Sequence, residues 1–289
     1  MHSRTTRNLA AAAALGLALA GSAGANPVDE TLEVTTDDGT ITLTTTAPAP
    51  DHLKDAFDTI YSGWHYRDTE TRNMERDDFD NPGMVFVDIA REKWDAAIGK
   101  NGESCAGCHD GPESMAGLRA VTPRVDATTG KLMIMEDYIN TCVTERMGLE
   151  AWGTTSKDMK NMLALIALQS RGEIVNVAID GPAAEYWAKG KEIYYTRYGQ
   201  LEMSCASCHQ DNAGNYIRAD HLSQGQISGF PVYRLKDAGL VSAQQRFVGC
   251  VRDTRAETFK AGSDEFKALE LYVASRGNGL AIEGVGVRH

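Results

Sequence analysis

The chain has 289 residues, a formal net charge of −11, and 40 acidic against 29 basic side chains. That acidic excess argues against nucleic acid or an anionic membrane as the partner, and suits a protein that meets basic patches on other proteins. Six cysteines would ordinarily mean three disulfides in an exported chain, so what each cysteine does becomes the first question.

In chain order, Arg4 and Arg7 precede a small and apolar run from Leu9 to Ala20, followed by Ala23-Gly24-Ala25. A positive start, a short apolar stretch and small residues at the cleavage positions predict a secretory leader over 1–25 and a periplasmic mature protein. The run is too short for a permanent membrane anchor. Cleavage removes two arginines and no acid, leaving about 260 residues and a charge about two units more negative. Next, Thr31 to Thr46 alternates about Asp38-Gly39, with Leu32 and Val34 on one side and Ile41 and Leu43 on the other, which predicts a β-hairpin. Ala47-Pro48-Ala49-Pro50 reads as a short stiff spacer closing an extension over 26–50. The rest is expected to be helical and loop-rich.

Cys105-Ala-Gly-Cys108-His109 and Cys205-Ala-Ser-Cys208-His209 begin 100 residues apart. In an exported chain, Cys-x-x-Cys-His is a c-type haem attachment motif: two thiols add to the haem vinyl groups and the adjacent imidazole coordinates iron. A zinc or redox motif with an incidental histidine does not recur in two copies with the same surroundings. Cys142 follows the first motif and Cys250 the second, in the similar contexts Cys142-Val-Thr-Glu-Arg146 and Cys250-Val-Arg-Asp-Thr-Arg255. Candidate helices lie before each motif, around Ala90–Gly99 and Ala183–Tyr198. Amphipathic helices follow, carrying Met159, Met162, Leu163 and Ile166 in one and Phe266, Leu269, Tyr272 and Val273 in the other. These end in Ser170-Arg171-Gly172 and Ser275-Arg276-Gly277, with arginine for the helix dipole and glycine for a left-handed cap. Their apolar stripes are plain core. The expected fold is therefore all-α: two cytochrome c-like domains related by duplication, 51–178 and 179–289, behind the short N-terminal hairpin. The boundary is expected near Val175 to Gly181, where Asp180-Gly181-Pro182 breaks helical continuity.

The sixth iron ligand decides the chemistry. In the first half Met133 and Met135 compete with Cys142. In the second, which has no methionine after Met203, the candidates are His221, Cys250 and Lys236. Cys142 and Cys250 would ordinarily pair as a disulfide, but equivalent positions in duplicated domains seldom lie within disulfide reach, which favours two thiolate ligands. Arg246, Arg252 and Arg255 surround Cys250 in sequence, whereas only Arg146 stands close to Cys142. Three guanidinium groups near one sulfur suggest an anion site and a stabilised thiolate, and point to the second haem as the reactive centre.

Two haem motifs, each followed by a lone cysteine, with Arg-Phe-Val-Gly-Cys at Arg246 to Cys250, closely resemble the dihaem SoxA family of bacterial thiosulfate oxidation, over essentially the whole mature chain. The resemblance implies two covalent haem c groups and a heterodimer with a smaller SoxX-type cytochrome c. It implies His109 and Cys142 as ligands of the first iron and His209 and Cys250 as ligands of the second. It makes Cys250 the catalytic cysteine, found as a persulfide in the family, and Arg246 the thiosulfate-binding residue. The implied reaction conjugates thiosulfate to a cysteine of a SoxYZ-type carrier, as an L-cysteine S-thiosulfotransferase. Two electrons then leave through SoxX to a soluble cytochrome c. Two rivals stand beside it: a dihaem thiosulfate dehydrogenase forming tetrathionate, and a plain dihaem electron carrier with a Cys142–Cys250 disulfide. The hairpin and the acidic stretch Glu75 to Asp80 are expected to be solvated, or to be contact surfaces.

Overall fold

The predicted hairpin forms, in a computed structural model that describes residues 27–218 and 220–289. Strands β1 (Leu32–Thr36) and β2 (Gly39–Leu43) pair antiparallel from Leu32↔Leu43 to Thr36↔Gly39. The turn residues are Asp37 and Asp38, one position earlier than expected, and Gly39 opens β2 with a φ of +129°. The predicted leader at 1–25 lies outside the described residues. The stretch expected to be a stiff spacer is instead a strand: β3 (Thr46–Pro48) pairs with β4 (Thr59–Tyr61). Pro48 is tolerated because it sits on a two-stranded edge, where its missing N–H breaks no central ladder.

Helices dominate the remainder of the chain. The first half supplies α1 (Thr69–Glu75), α2 (Met84–Asp95), the motif helix α3 (Ala106–His109), α4 (Met135–Thr141) and α5 (Lys157–Gln169). The second half supplies α6 (Ala184–Tyr195), the motif helix α7 (Cys205–His209), α8 (Ala243–Asp253) and α9 (Asp264–Ser275). The chain chooses their starts with serine and aspartate caps. Asp68 accepts from the Thr71 N–H at 2.8 Å, Ser156 from Met159 at 3.2 Å, Ser242 from Gln245 at 3.3 Å and Ser263 from Phe266 at 3.3 Å. Small ladders fill the loops: β5 (Arg124–Val125) with β6 (Leu132–Met133), and β7 (Tyr216–Ile217) with β8 (Asp220–His221). A third sheet has β9 (Val232–Arg234) between β10 (Gly239–Val241) and β11 (Gly286–Arg288). The fold is thus helix-rich with several short strands. Among the described residues no helix is long and apolar enough to cross a membrane.

The predicted apolar stripes are core. Met159, Met162, Leu163 and Ile166 of α5 pack with α2 residues Val87, Ala90 and Trp94, while Phe266, Leu269, Tyr272 and Val273 of α9 form the second core. Helix α6 crosses α9 so closely that a Cβ on Gly190 would collide with the Ala268 carbonyl, which is why glycine stands there. The two cores exchange segments: Ala120 and Leu132 from the first half enter the second core, and Leu240 and Val285 enter the first. The stretch from Val175 to Gly181 is pinned rather than loose, with Val175 donating to the Leu280 carbonyl at 2.8 Å and accepting from Gly279 at 3.0 Å. Of the two predicted glycine caps, Gly172 is left-handed at φ +86°, while Gly277 is not; the left-handed residue there is Gly279.

The acidic stretch is solvated only at its end, where Phe79 and Asp80 are exposed. Glu75 is buried, accepting from Arg288 Nη1 at 2.6 Å and the Val287 N–H at 2.7 Å. Asp78 accepts both Arg171 Nη groups at 2.9 Å. Asp78 neutralises the internal Arg171, whereas Arg288 also meets the buried Glu283 at 2.6 Å and burial raises Glu75 to about 8.

Two candidate haem sites

In the first half α2 delivers Trp94 beneath the motif. Its indole N–H donates to the Asp110 carbonyl at 2.8 Å and its ring lies 5.9 Å from that of His109, fixing the turn that carries the histidine. Beyond α4 the helix widens into a π-turn over Cys142–Arg146, and Cys142 stands at the junction. Its sulfur lies 4.0 Å from His109 Nε2. That gap is about the sum of one metal–nitrogen and one metal–sulfur bond, roughly 2.0 and 2.3 Å in zinc sites, so the pair is spaced to bracket a single metal. Met135 is buried in the apolar core and Met133 belongs to β6, which leaves Cys142 as the sulfur facing the histidine. Burial raises the Cys142 thiol, Cys108 adds to the effect and Arg146 opposes it. A coordinated metal would oppose that shift and strip the proton.

In the second half Ser204 caps α7, accepting from the Ser207 N–H at 3.1 Å, and so sets the motif turn. His209 is half-buried, and its Nδ1 donates to the Ser223 carbonyl at 2.9 Å, which leaves Nε2 as the nitrogen that could bind a metal. Gly225 has a φ of +83° and packs so tightly on His209 that a Cβ would lie 2.9 Å from the imidazole. Burial lowers His209 to about 4, the Ser223 bond opposes this, and the Arg246, Arg276 and Arg67 guanidinium groups lower it further. Cys205 is pushed up to about 12 by burial first, then by the nearby Cys250 and Cys208 sulfurs, while Arg276 opposes. The Cys208 and Cys250 sulfurs thus lie near enough to Cys205 for their charge to act on it.

All six cysteines are unpaired, so the Cys142–Cys250 disulfide does not form. Each lone cysteine lies with the motif of its own half. His221 belongs to β8, pairs with Tyr216 and faces the Tyr66 carbonyl at 3.2 Å through Nδ1. It stands in the segment returning to the Ser223 acceptor of His209, not on α8. Lys236 sits in the short turn joining β9 and β10. Cys250 lies inside α8, one helical turn after Arg246, so the two side chains share a face.

The cluster of three arginines needs correction. Arg252 is largely exposed and pairs with its neighbour Asp253 at 3.0 Å, and Arg255 is also exposed. Arg246 alone of the three acts on Cys208 and His209. Two guanidinium groups from distant sequence complete the positive field: Arg67, which pairs with Asp220 and donates to the His221 carbonyl at 2.6 Å, and the fully buried Arg276. Arg67 carries no nearby motif that would mark it. Arg276 stands in the repeated Ser-Arg-Gly tripeptide, but that tripeptide is identical in both halves and does not mark it as a site residue.

The sequence profile of the family described as SoxA/TsdA, cytochrome c domain, matches residues 89–175 and 189–282. The chain is 74% identical to the L-cysteine S-thiosulfotransferase subunit SoxA of Paracoccus pantotrophus, over 98% of each chain. It is 53% identical to the subunit of that name in Rhodovulum sulfidophilum, over 100% of each. Its fold is similar to the crystal structure of SoxXA from P. pantotrophus at a TM-score of 0.90 and 75% identity, covering 91% of this chain and 100% of that one.

Proposed function

The chain belongs to the SoxA family of c-type cytochromes, and on that premise we propose that it is the catalytic subunit of an L-cysteine S-thiosulfotransferase. It works in the periplasm as a heterodimer with a small SoxX-type cytochrome, a proposal supported by the SoxXA complex to which it is similar and by its leader-like first 25 residues. It carries two haem c groups in two domains related by duplication. Cys105 and Cys108 hold the first covalently, with His109 and Cys142 on its iron. Cys205 and Cys208 hold the second, with His209 and Cys250 on its iron. Support comes from the 4.0 Å His109–Cys142 spacing and from the action of the Cys250 and Cys208 sulfurs on Cys205.

The substrate is thiosulfate and the acceptor a cysteine of a SoxYZ-type carrier. A sulfur–sulfur bond forms between the outer sulfur of thiosulfate and the carrier thiolate, and two electrons are released. When bound, the haem supplies a one-electron acceptor beside the Cys250 sulfur, from which electrons pass to SoxX and a soluble cytochrome c. Arg246 binds and orients the dianion, since a guanidinium matches the paired oxygens of a sulfonate-type group and offsets the repulsion of an acidic protein. The Cys250 thiolate joins the outer sulfur of thiosulfate as two electrons are given up to the acceptor; the carrier thiolate then attacks that same sulfur, the Cys250–sulfur bond breaks, and Cys250 leaves as thiolate. Arg67 and Arg276 keep the site positive throughout.

The observation that carries this reading is Cys250 on α8, one turn beyond Arg246 and beside Cys205 and Cys208. The test mixes the heterodimer with thiosulfate, oxidised cytochrome c and the carrier, and weighs the carrier by mass spectrometry. A thiosulfate adduct on the carrier cysteine, formed with reduction of cytochrome c, is expected. Tetrathionate produced equally well without carrier would replace this reading by the thiosulfate dehydrogenase.

A further inference from the structure

Arg276 follows the last residue of α9 and is 0% exposed. Its guanidinium stacks on Tyr194, 4.4 Å from the ring centroid, with Tyr272 at 5.9 Å and Phe57 at 6.0 Å. Nη2 donates to the Gln224 carbonyl at 3.4 Å, while Nε and Nη1 have no hydrogen-bond partner. Among the described residues no carboxylate pairs with it. Arg171, its counterpart in the other Ser-Arg-Gly, is held by both oxygens of Asp78. A buried cation left without a counter-ion is costly, and aromatic faces offset only part of that cost.

Gln224 shows what the contact reaches. Its neighbour Ser223 accepts the His209 Nδ1 proton, and its other neighbour, Gly225, packs on the imidazole. Its own side chain is fixed by the Tyr61 N–H at 2.9 Å and the Thr59 carbonyl at 3.1 Å, so the segment is clamped between β4 and Arg276. We propose that Arg276 is a positioning residue of the second haem centre: it holds residues Ser223–Gly225 against His209 and places beside that histidine a positive charge that no carboxylate of the described residues pairs with, raising that centre's affinity for electrons. An electron added in a buried site is a negative charge in a low dielectric, which a nearby guanidinium stabilises. Its field also reaches Cys205. The first centre has the same tripeptide with its charge cancelled by Asp78. The same residue type at the same place thus tunes one centre and braces the other.

This rests on a haem at His209, and not on the transfer reaction, so it is tested without thiosulfate or carrier. Potentiometric titration of the holo heterodimer, followed by low-temperature EPR, reads each centre separately. Arg276→Gln keeps an amide donor for the Gln224 carbonyl and removes the charge. It is expected to shift the His209 centre to a more negative potential and leave the His109 centre unchanged, with Arg276→Lys restoring most of the shift. Phe57→Glu places a carboxylate beside an intact Arg276, and is expected to move the potential the same way, which covers failure of the first variant to fold. An unchanged potential in a fully haem-loaded Arg276→Gln or in Phe57→Glu overturns the proposal, as would equal shifts at both centres.

Discussion

The two haem-motif regions use the same parts and differ in the field around them. Each has a Cys-x-x-Cys-His turn, a lone cysteine and a closing helix that ends in Ser-Arg-Gly. In the first, the cysteine stands at a π-turn, faces its histidine at 4.0 Å and has Arg146 as its one opposing cation, while Arg171 is neutralised by Asp78. In the second, the cysteine is inside a regular helix, and three guanidinium groups from three parts of the chain act on one histidine. The repeated sequence pattern supplies the histidine and the lone cysteine of each region, whereas the charges around them are ones the pattern does not specify.

Substitutions can break or sharpen that contrast. The largest effect is expected from Cys250→Ala, which should lower carrier conjugation by at least about 10³-fold, as for loss of a covalent nucleophile, with Cys142→Ala keeping most activity in the same assay. Next, Arg246→Ala should reduce kcat/KM for thiosulfate by about 10- to 150-fold, the equivalent of roughly 1.5–3 kcal/mol for hydrogen bonds to a charged group, while Arg146→Ala leaves it nearly unchanged. Asp78→Asn strands the buried Arg171 and should cost about 3–5 kcal/mol in denaturant unfolding without altering the spectrum of the second haem. The smallest effect concerns pH. His52 packs on Trp187 and Tyr272 of the second half, and burial, aided by Arg276 and Lys191, lowers it to about 4. The unfolded chain therefore binds the extra proton between about 4 and 6.5. Its contribution is full above about 6.5 and is lost as pH falls toward 4. Thermal unfolding at pH 7 and pH 5 should show a slope that His52→Gln reduces.

Much of this was legible in the sequence because it is local. The haem turns, the capped helices and the apolar stripes of α5 and α9 depend on residues a few positions apart. The approach of Cys142 to His109 was legible through the repeat. Three things were not. Ala47-Pro48-Ala49-Pro50 looks like a spacer until Thr59–Tyr61 arrives to pair with it. The acidic run Glu75 to Asp80 looks solvated, because its partners Arg171 and Arg288 are far along the chain. Arg252 and Arg255 look like site residues by proximity, but Arg252 on α8 and Arg255 just beyond it are both exposed, and Arg67 and Arg276 come from tertiary contacts no short window contains.

The most direct test of thiolate ligation by each lone cysteine is low-temperature EPR of the oxidised, haem-loaded protein, compared with Cys142→Ala and Cys250→Ala. Two low-spin thiolate-type signals are predicted, one lost with each substitution, the Cys142 signal from the His109 centre and the Cys250 signal from the His209 centre. Signals indifferent to both substitutions would contradict the account, and would leave the protein a plain electron carrier with other ligands on its irons.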